Sequence, residues 1–310
     1  MMMKYILLLG ILFMVACSDE GTIIPSTEPE FRYSLPQGDH LYDDKIVDWF
    51  ERCDFYILYK FEPKDVYFNL GYDWQGPILD TIIDQYGNET YTAKGYSVEM
   101  ADETYIEQQL TWIEEMFLNH YSAGILKACM PQKIILGKNL FSYFSATFRM
   151  SYDYTTYLFN EIIFSHGDES IETLSNDKKN SVKIDVNKWF LKQRMVDHLP
   201  DLEDFYAKTD YSRVLLASSP SARAEEGYLT SSTSSNVEEM RKYDREAFVD
   251  MIISNSYTVL TQDPGDEAFN GRNYTGILQR NKLIRERYDL IIQAYKKVGV
   301  DLQAIGNMYQ

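Results

Sequence analysis

Apolar side chains recur at helical spacing through the second half of this 310-residue chain, and that periodicity is what most limits its fold. Ile284, Tyr288, Ile291, Tyr295 and Val298 step by four and three, and Gly299 ends the run. VEEMRKYDREAFVDMIIS, Val237 to Ser254, repeats the pattern with Met240, Ala247, Phe248, Met251 and Ile252 inward. A third helix is expected from about Val182 to Leu199, with Val186, Trp189, Phe190 and Met195 on one face and Pro200 just beyond. The first half reads differently. Two helical patterns stand there: Leu41, Ile46, Trp49 and Phe50, then Ile106, Leu110, Ile113 and Phe117 behind a capping box of Thr104 and Glu107. Between and after them lie short runs rich in aromatic and β-branched residues, expected as strands: Phe55 to Phe61, Asp65 to Leu70, Lys133 to Gly137, and SYFSATFRM with Phe144, Ala146, Phe148 and Met150 on one face. Tyr154 to Ser165 also reads as a strand, with helix as the alternative. Residues 165–181 and the serine-rich stretch Ser218 to Asn236 read as exposed loops. The residues alone therefore specify a mixed α and β domain. No repeat or break in composition divides residues 39–310, so a single domain is expected there.

The N-terminus carries an address. Lys4 and an apolar run from Tyr5 to Val15 have the shape of a signal peptide over residues 1–16, too short to span a bilayer as a finished helix. MVAC ends it at Cys17, the pattern of a lipoprotein signal whose cysteine is lipidated. Ser18-Asp19-Glu20 behind that cysteine resembles the surface-export signal of Gram-negative lipoproteins, so the outer face of the outer membrane is expected. Residues 17–38, with Pro25, Pro29 and Pro36, read as a flexible tether. A formal net charge of −17 repels phosphate backbones and anionic headgroups, which argues against nucleic acid and leaves membrane attachment to the lipid. Cys53 and Cys129 are the remaining cysteines; one disulfide or two buried thiols are both compatible with their spacing.

Three blocks in the second half are candidates for chemistry: IDVNKWFLKQ (Ile184 to Gln193), EEGYLTSSTSSN (Glu225 to Asn236) and DREAFVDMII (Asp244 to Ile253). In that order and spacing they resemble the lipoprotein family of substrate import-associated zinc metallohydrolases, which reads HEFxHILxQ, then an acidic-GF(I/V)T segment, then EDF(A/V)EMI. CDFYILYK near Cys53 and GVDLQAI from Gly299 resemble the family's opening strand and closing segment in pattern. The resemblance implies an α+β, zincin-like fold with a small mixed sheet followed by a helical half. It also implies zinc-dependent hydrolysis of peptide-type substrates beside SusC/SusD-like importers.

This chain departs from the family where the metal would sit. A zincin needs two imidazoles one helical turn apart, a glutamate between them and a third ligand from a later helix. The four histidines here are His40, His120, His166 and His198, and no HExxH exists. Laid on the motif, Asp185, Val186 and Trp189 stand at the first histidine, the glutamate and the second histidine. A competing placement on FNEIIF keeps Glu161 but offers Asn160 and Phe164. Glu246 and Asp250 fall on the acidic positions of the third block, as a remnant of the third-ligand helix; a solvated or network-forming acidic pair is the plainer reading. Asp185 with Glu246 and Asp250 could form an oxygen-rich site for a hard cation such as calcium. Otherwise no cofactor is expected, with zinc only if the family site is retained. His166 in a polar loop is expected to be solvated, and the serines near Ser231 lack a nucleophile elbow. The 25 tyrosines are more than core packing usually uses; most are expected to pack strands and helices, and exposed ones would offer platforms for a peptide or glycan. Three functions follow: a catalytically degenerate binding module near a SusC/SusD-like importer, an active hydrolase with a rebuilt metal site, or a glycan-binding surface lipoprotein.

Overall fold

A computed structural model of the chain describes residues 33–62, 65–66, 81–91, 95–145, 148–156, 160–265 and 269–309. The expected signal peptide, Cys17 and most of the expected tether lie outside these residues, as do four of the six residues of the strand expected over Asp65 to Leu70, whose described pair, Asp65 and Val66, is helical instead. Leu35–Gln310 forms one compact unit.

The unit opens with helix α1 (Leu41–Cys53), whose N-cap His40 and third residue Asp43 bond reciprocally. It ends where Asp54 takes a left-handed conformation, φ 63°. Strand β1 (Tyr56–Leu58) follows, then a separate hairpin of β2 (Thr81–Ile83) and β3 (Glu89–Tyr91). Strand β4 (Gly95–Met100) leads to α2 (Ile106–Met116), which buries Ile106, Leu110 and Ile113 as their spacing predicts. Its cap is not the expected box: Tyr105 is the N-cap with no side-chain bond, because a turn from Asp102, tied by its N–H to the Gly167 carbonyl, sets the entry. Helix α3 (Ala123–Cys129) is capped by Ser122.

Strand β5 (Lys133–Ser145) is longer than its apolar core foretells and makes the sheet mixed. Its first part pairs parallel with β1, Tyr56 beside Lys133, and with β8 (Glu161–Phe164), Lys133 beside Glu161. Its second part runs antiparallel to β4 and to β6 (Phe148–Ser151). The SYFSATFRM stretch is thus not one strand but the end of β5 and the start of β6, and Ala146 lies outside the described residues. The expected strand over Tyr154 to Ser165 is likewise two, β7 (Tyr154–Thr155) and β8, paired antiparallel. Pairing with different neighbours requires turns that apolar alternation does not encode.

The remaining chain is helical. The expected loop 165–181 contains a 3₁₀ turn (Glu169–Thr173) and the first turns of α4 (Asn176–Trp189), six residues earlier than its apolar stripe begins, because Ser175 supplies the cap. A π turn (Phe190–Arg194) and a 3₁₀ turn (Val196–His198) replace its expected end. Short helices α5 (Glu203–Tyr206), α6 (Tyr211–Leu216) and α7 (Pro220–Glu225) follow, the last lying where an extended loop is expected. Then come α8 (Val237–Ser254), α9 (Tyr257–Thr261), α10 (Ile277–Arg280), α11 (Lys282–Lys297) and α12 (Leu302–Asn307). One core joins sheet and helices, from Ile46 and Ile57 through Ile134, Phe164 and Phe190 to Phe248, Ile291 and Leu302. Within it Cys53 and Cys129 are free, buried thiols, which settles that alternative against a disulfide.

Candidate functional site

Helix α8 presents Tyr243, Glu246, Ala247 and Asp250 on one face, at steps of three, one and three. That face is the wall of a cleft of about 400 Å³. Opposite it stand Pro220 and Arg223 of α7, the segment Leu229–Ser232, and a loop carrying Arg272 and Tyr274. The second and third sequence blocks therefore meet at one site. Ala247, assigned inward from periodicity, lines the cleft, whereas Met240, Phe248, Met251 and Ile252 are buried.

The first block contributes a residue that the motif did not point to. In the π turn the Met195 N–H bonds to the Phe190 carbonyl, five residues back, so Phe190, Leu191 and Met195 stay in the core while Lys192 turns to the cleft. The Lys192 ammonium lies 2.9 Å from Asp250 Oδ2 and 3.1 Å from Asp250 Oδ1, with Glu246 Oε2 at 3.9 Å. Arg245 adds a second cation, its Nη2 3.4 Å from Glu246 Oε1. Tyr274 packs beside this group; burial, and secondarily the charge of Asp250, pushes its hydroxyl pKa up.

A buried ion pair fixes the wall. Arg287 of α11 and Asp244 of α8 are both fully buried, with Arg287 Nη1 3.1 Å from Asp244 Oδ1. The guanidinium also donates to the Gly227 carbonyl and stacks 3.9 Å over Phe205 and 4.7 Å over Phe248. Tyr211 donates to the other Asp244 oxygen at 2.7 Å. Gly227, at φ 83°, turns the chain under this guanidinium and sends Leu229–Ser232 along the cleft, where the Tyr228 hydroxyl donates to the Ser232 carbonyl at 2.6 Å.

The expected oxygen-rich set does not assemble. Asp185 is exposed on α4, and its charged neighbours are Lys188 and Asp153. Among the described residues no group of three His, Cys, Asp or Glu side chains could hold a metal ion, so Asp185 does not join Glu246 and Asp250. Trp189 is half-buried against the core, its ring 6.3 Å from that of Phe190. Its indole has no lone pair for a metal, and the fully buried Val186 has no polar atom. Zinc does not fit these donors, since the two carboxylates that could remain as ligands already hold an ammonium. The alternative placement fails as well: Glu161 is buried in the sheet 3.2 Å from Lys133, and burial, opposed by Lys133, pushes its carboxyl up to about 7.

The histidines lie on separate elements, and His198 is exposed. His120 is held 3.0 Å from Met308 Sδ, and burial lowers its pKa. His166 is not simply solvated, as expected, but bridges Asp153 Oδ1 and Ser170 Oγ, each at 2.9 Å. Ser170 donates its own hydroxyl to Asp168, so it is bound as a structural link rather than primed as a nucleophile. Arg287 was findable in sequence, since it shares the stripe of Ile284, Tyr288 and Ile291; Lys192 carries no such signal.

No family model and no curated protein matches the chain. Among solved structures, one from Bacteroides caccae ATCC 43185, described as a "putative zinc-binding metallo-peptidase", is 14% identical over 65% of this chain and 74% of that one, with a TM-score of 0.35. At that score the likeness carries no argument about this protein.

Proposed function

We propose that this chain is a surface lipoprotein of metallopeptidase-like descent whose cleft binds a peptide-type ligand without cleaving it, beside a SusC/SusD-like outer-membrane importer. The observation that carries the reading is Lys192 on Asp250 and Glu246: the acidic pair of the cleft is bound to an internal cation rather than offered to a metal. With both carboxylates engaged by that cation, neither stands free to hold a metal whose bound water it could help deprotonate. What the cleft offers is recognition, with charges of both signs, hydroxyls of Thr230, Ser231 and Ser232, and rings of Tyr243 and Tyr274. Those two tyrosines also suit a sugar ring, which makes glycan binding the second reading.

The test is retention of a randomised hexapeptide mixture on the immobilised chain, with a quenched fluorescent version of the mixture as a turnover assay. Retention without turnover, with or without added zinc, and its loss when Ala247→Trp fills the cleft, are expected. Turnover abolished by Glu246→Ala would restore the hydrolase reading. Retention of polysaccharide but not peptide, lost in Tyr274→Ala, would favour the glycan.

A further inference from the structure

In a chain of net charge −17, the cleft holds cations whose charge the acids among its described lining residues do not match. Among the described residues Glu246 and Asp250 are the acids that line it, and Arg245 and Lys192 already pair with them. Arg223 and Arg272 also line it, and neither has a carboxylate partner among the described residues. Arg223 gives one Nη1 hydrogen to the Ala217 carbonyl at 3.3 Å, which fixes its stem and leaves the rest of the fork. Arg272 sits in a turn made by Asn270, whose Oδ1 accepts from the Arg272 and Asn273 N–H groups at 2.9 Å and 3.0 Å. Gly271, at φ 88°, brings that turn against Pro220, where even an added Cβ would lie 3.3 Å from the proline ring. The close approach sets the Arg272 turn beside the start of α7, the helix that carries Arg223.

From this geometry we infer that the cleft takes a carboxylate-bearing peptide, its carboxylate bound by Arg223 and Arg272. The inference rests on the peptide-binding reading above and gives that ligand its chemistry. Guanidinium is the group suited to the purpose: its planar fork meets a carboxylate through two parallel hydrogen bonds, and it stays charged at any working pH. The internal pairing of Lys192 serves the same end, since a bare acidic pair beside the guanidiniums would repel the ligand's charge. A chain end supplies such a carboxylate in every peptide; an acidic side chain supplies it in some.

The experiment compares three probes on the immobilised full chain: hexapeptide mixtures with free C-termini, the same mixtures C-terminally amidated, and amidated mixtures with aspartate at a fixed position. Free mixtures should be retained about tenfold better than amidated ones, the scale of one charge-assisted hydrogen bond. That advantage should vanish in Arg272→Gln and in Arg223→Gln, with the thermal midpoint checking that each variant is folded. Recovery of retention by the aspartate mixture alone would assign the carboxylate to a side chain and still support the inference. Equal retention of free and amidated mixtures overturns it and leaves peptide binding standing. If none is retained, the peptide reading falls too, and oligogalacturonate retained in an Arg272-dependent way would put an acidic glycan in its place.

Discussion

Arg287 and Asp244 face each other with no exposure to water, one on the last long helix and one on the helix that walls the cleft. Removing one partner strands a buried charge. Arg287→Met is expected to lower unfolding stability by about 3–5 kcal/mol, and Arg287→Met with Asp244→Leu to recover much of that loss, since an apolar pair of similar volume is often as stable. Denaturant unfolding of the three proteins measures both. A single-variant loss below about 1 kcal/mol would show that the pair does not hold the wall.

Lys183 of α4 is fully buried and donates to the Met308 carbonyl at 3.1 Å. Burial lowers its pKa from 10.5 to about 8. Below pH 8 the folded state therefore carries a buried charge that the unfolded chain solvates. Between about 8 and 10.5 the folded state holds fewer protons than the unfolded one, so this residue makes stability rise with pH across that window. Lys183→Met should be the more stable protein at pH 7, by on the order of 1–3 kcal/mol, and the margin should shrink toward pH 10.5. A margin independent of pH would contradict the assignment.

Lys192 and Asp250 are partly exposed, 24% and 33%, so their pairing adds little stability, about 1 kcal/mol or less. Its effect belongs to the ligand. Lys192→Ala should leave the thermal midpoint nearly unchanged while reducing retention of free-carboxylate peptides severalfold, because an unmatched Asp250 then faces the cleft. Unaltered retention would detach Lys192 from binding.

Helix α12 crosses α8 at Gly306, where an added Cβ would lie 2.1 Å from the Ile252 carbonyl oxygen and 2.6 Å from that of Asn255. Neither backbone can give way cheaply. Gly306→Ala should lower stability by about 1–3 kcal/mol despite the better helix propensity of alanine. Calorimetry on the variant decides, and a gain in midpoint would mean the helices are free to separate.

Cys53 and Cys129 are buried thiols whose pKa values burial raises. A thiol reagent should label neither in the folded chain and both once it is unfolded, and reductant should leave the unfolding midpoint where it was. A midpoint that falls with reductant would reveal a disulfide.

Local periodicity located the long helices well: Val237–Ser254 occupies the expected span, and Lys282–Lys297 differs by a turn or less. Aromatic-rich stretches marked strands but not their turns: Lys133–Gly137 runs on into the first part of the next expected strand as β5, and that strand and the one after it each break in two. The motif order brought the second and third blocks to one cleft, and within it Glu246 and Asp250, while it placed Asp185 and Trp189 on a helix face that the cleft does not use.

The sequence by itself determined the mixed α and β class, the amphipathic faces and the absence of an HExxH motif, because each is a matter of residue type at short spacing. Tertiary structure alone decided which cation meets the acidic pair and which guanidiniums lack an acid among the described residues. Lys192 lies 58 residues from Asp250, and Arg287 lies 43 from Asp244. Charges so far apart in the chain become partners only when packing carries them together, and in the low dielectric of the folded domain a few ångströms decide whether an acid offers itself to a metal, a ligand or a lysine.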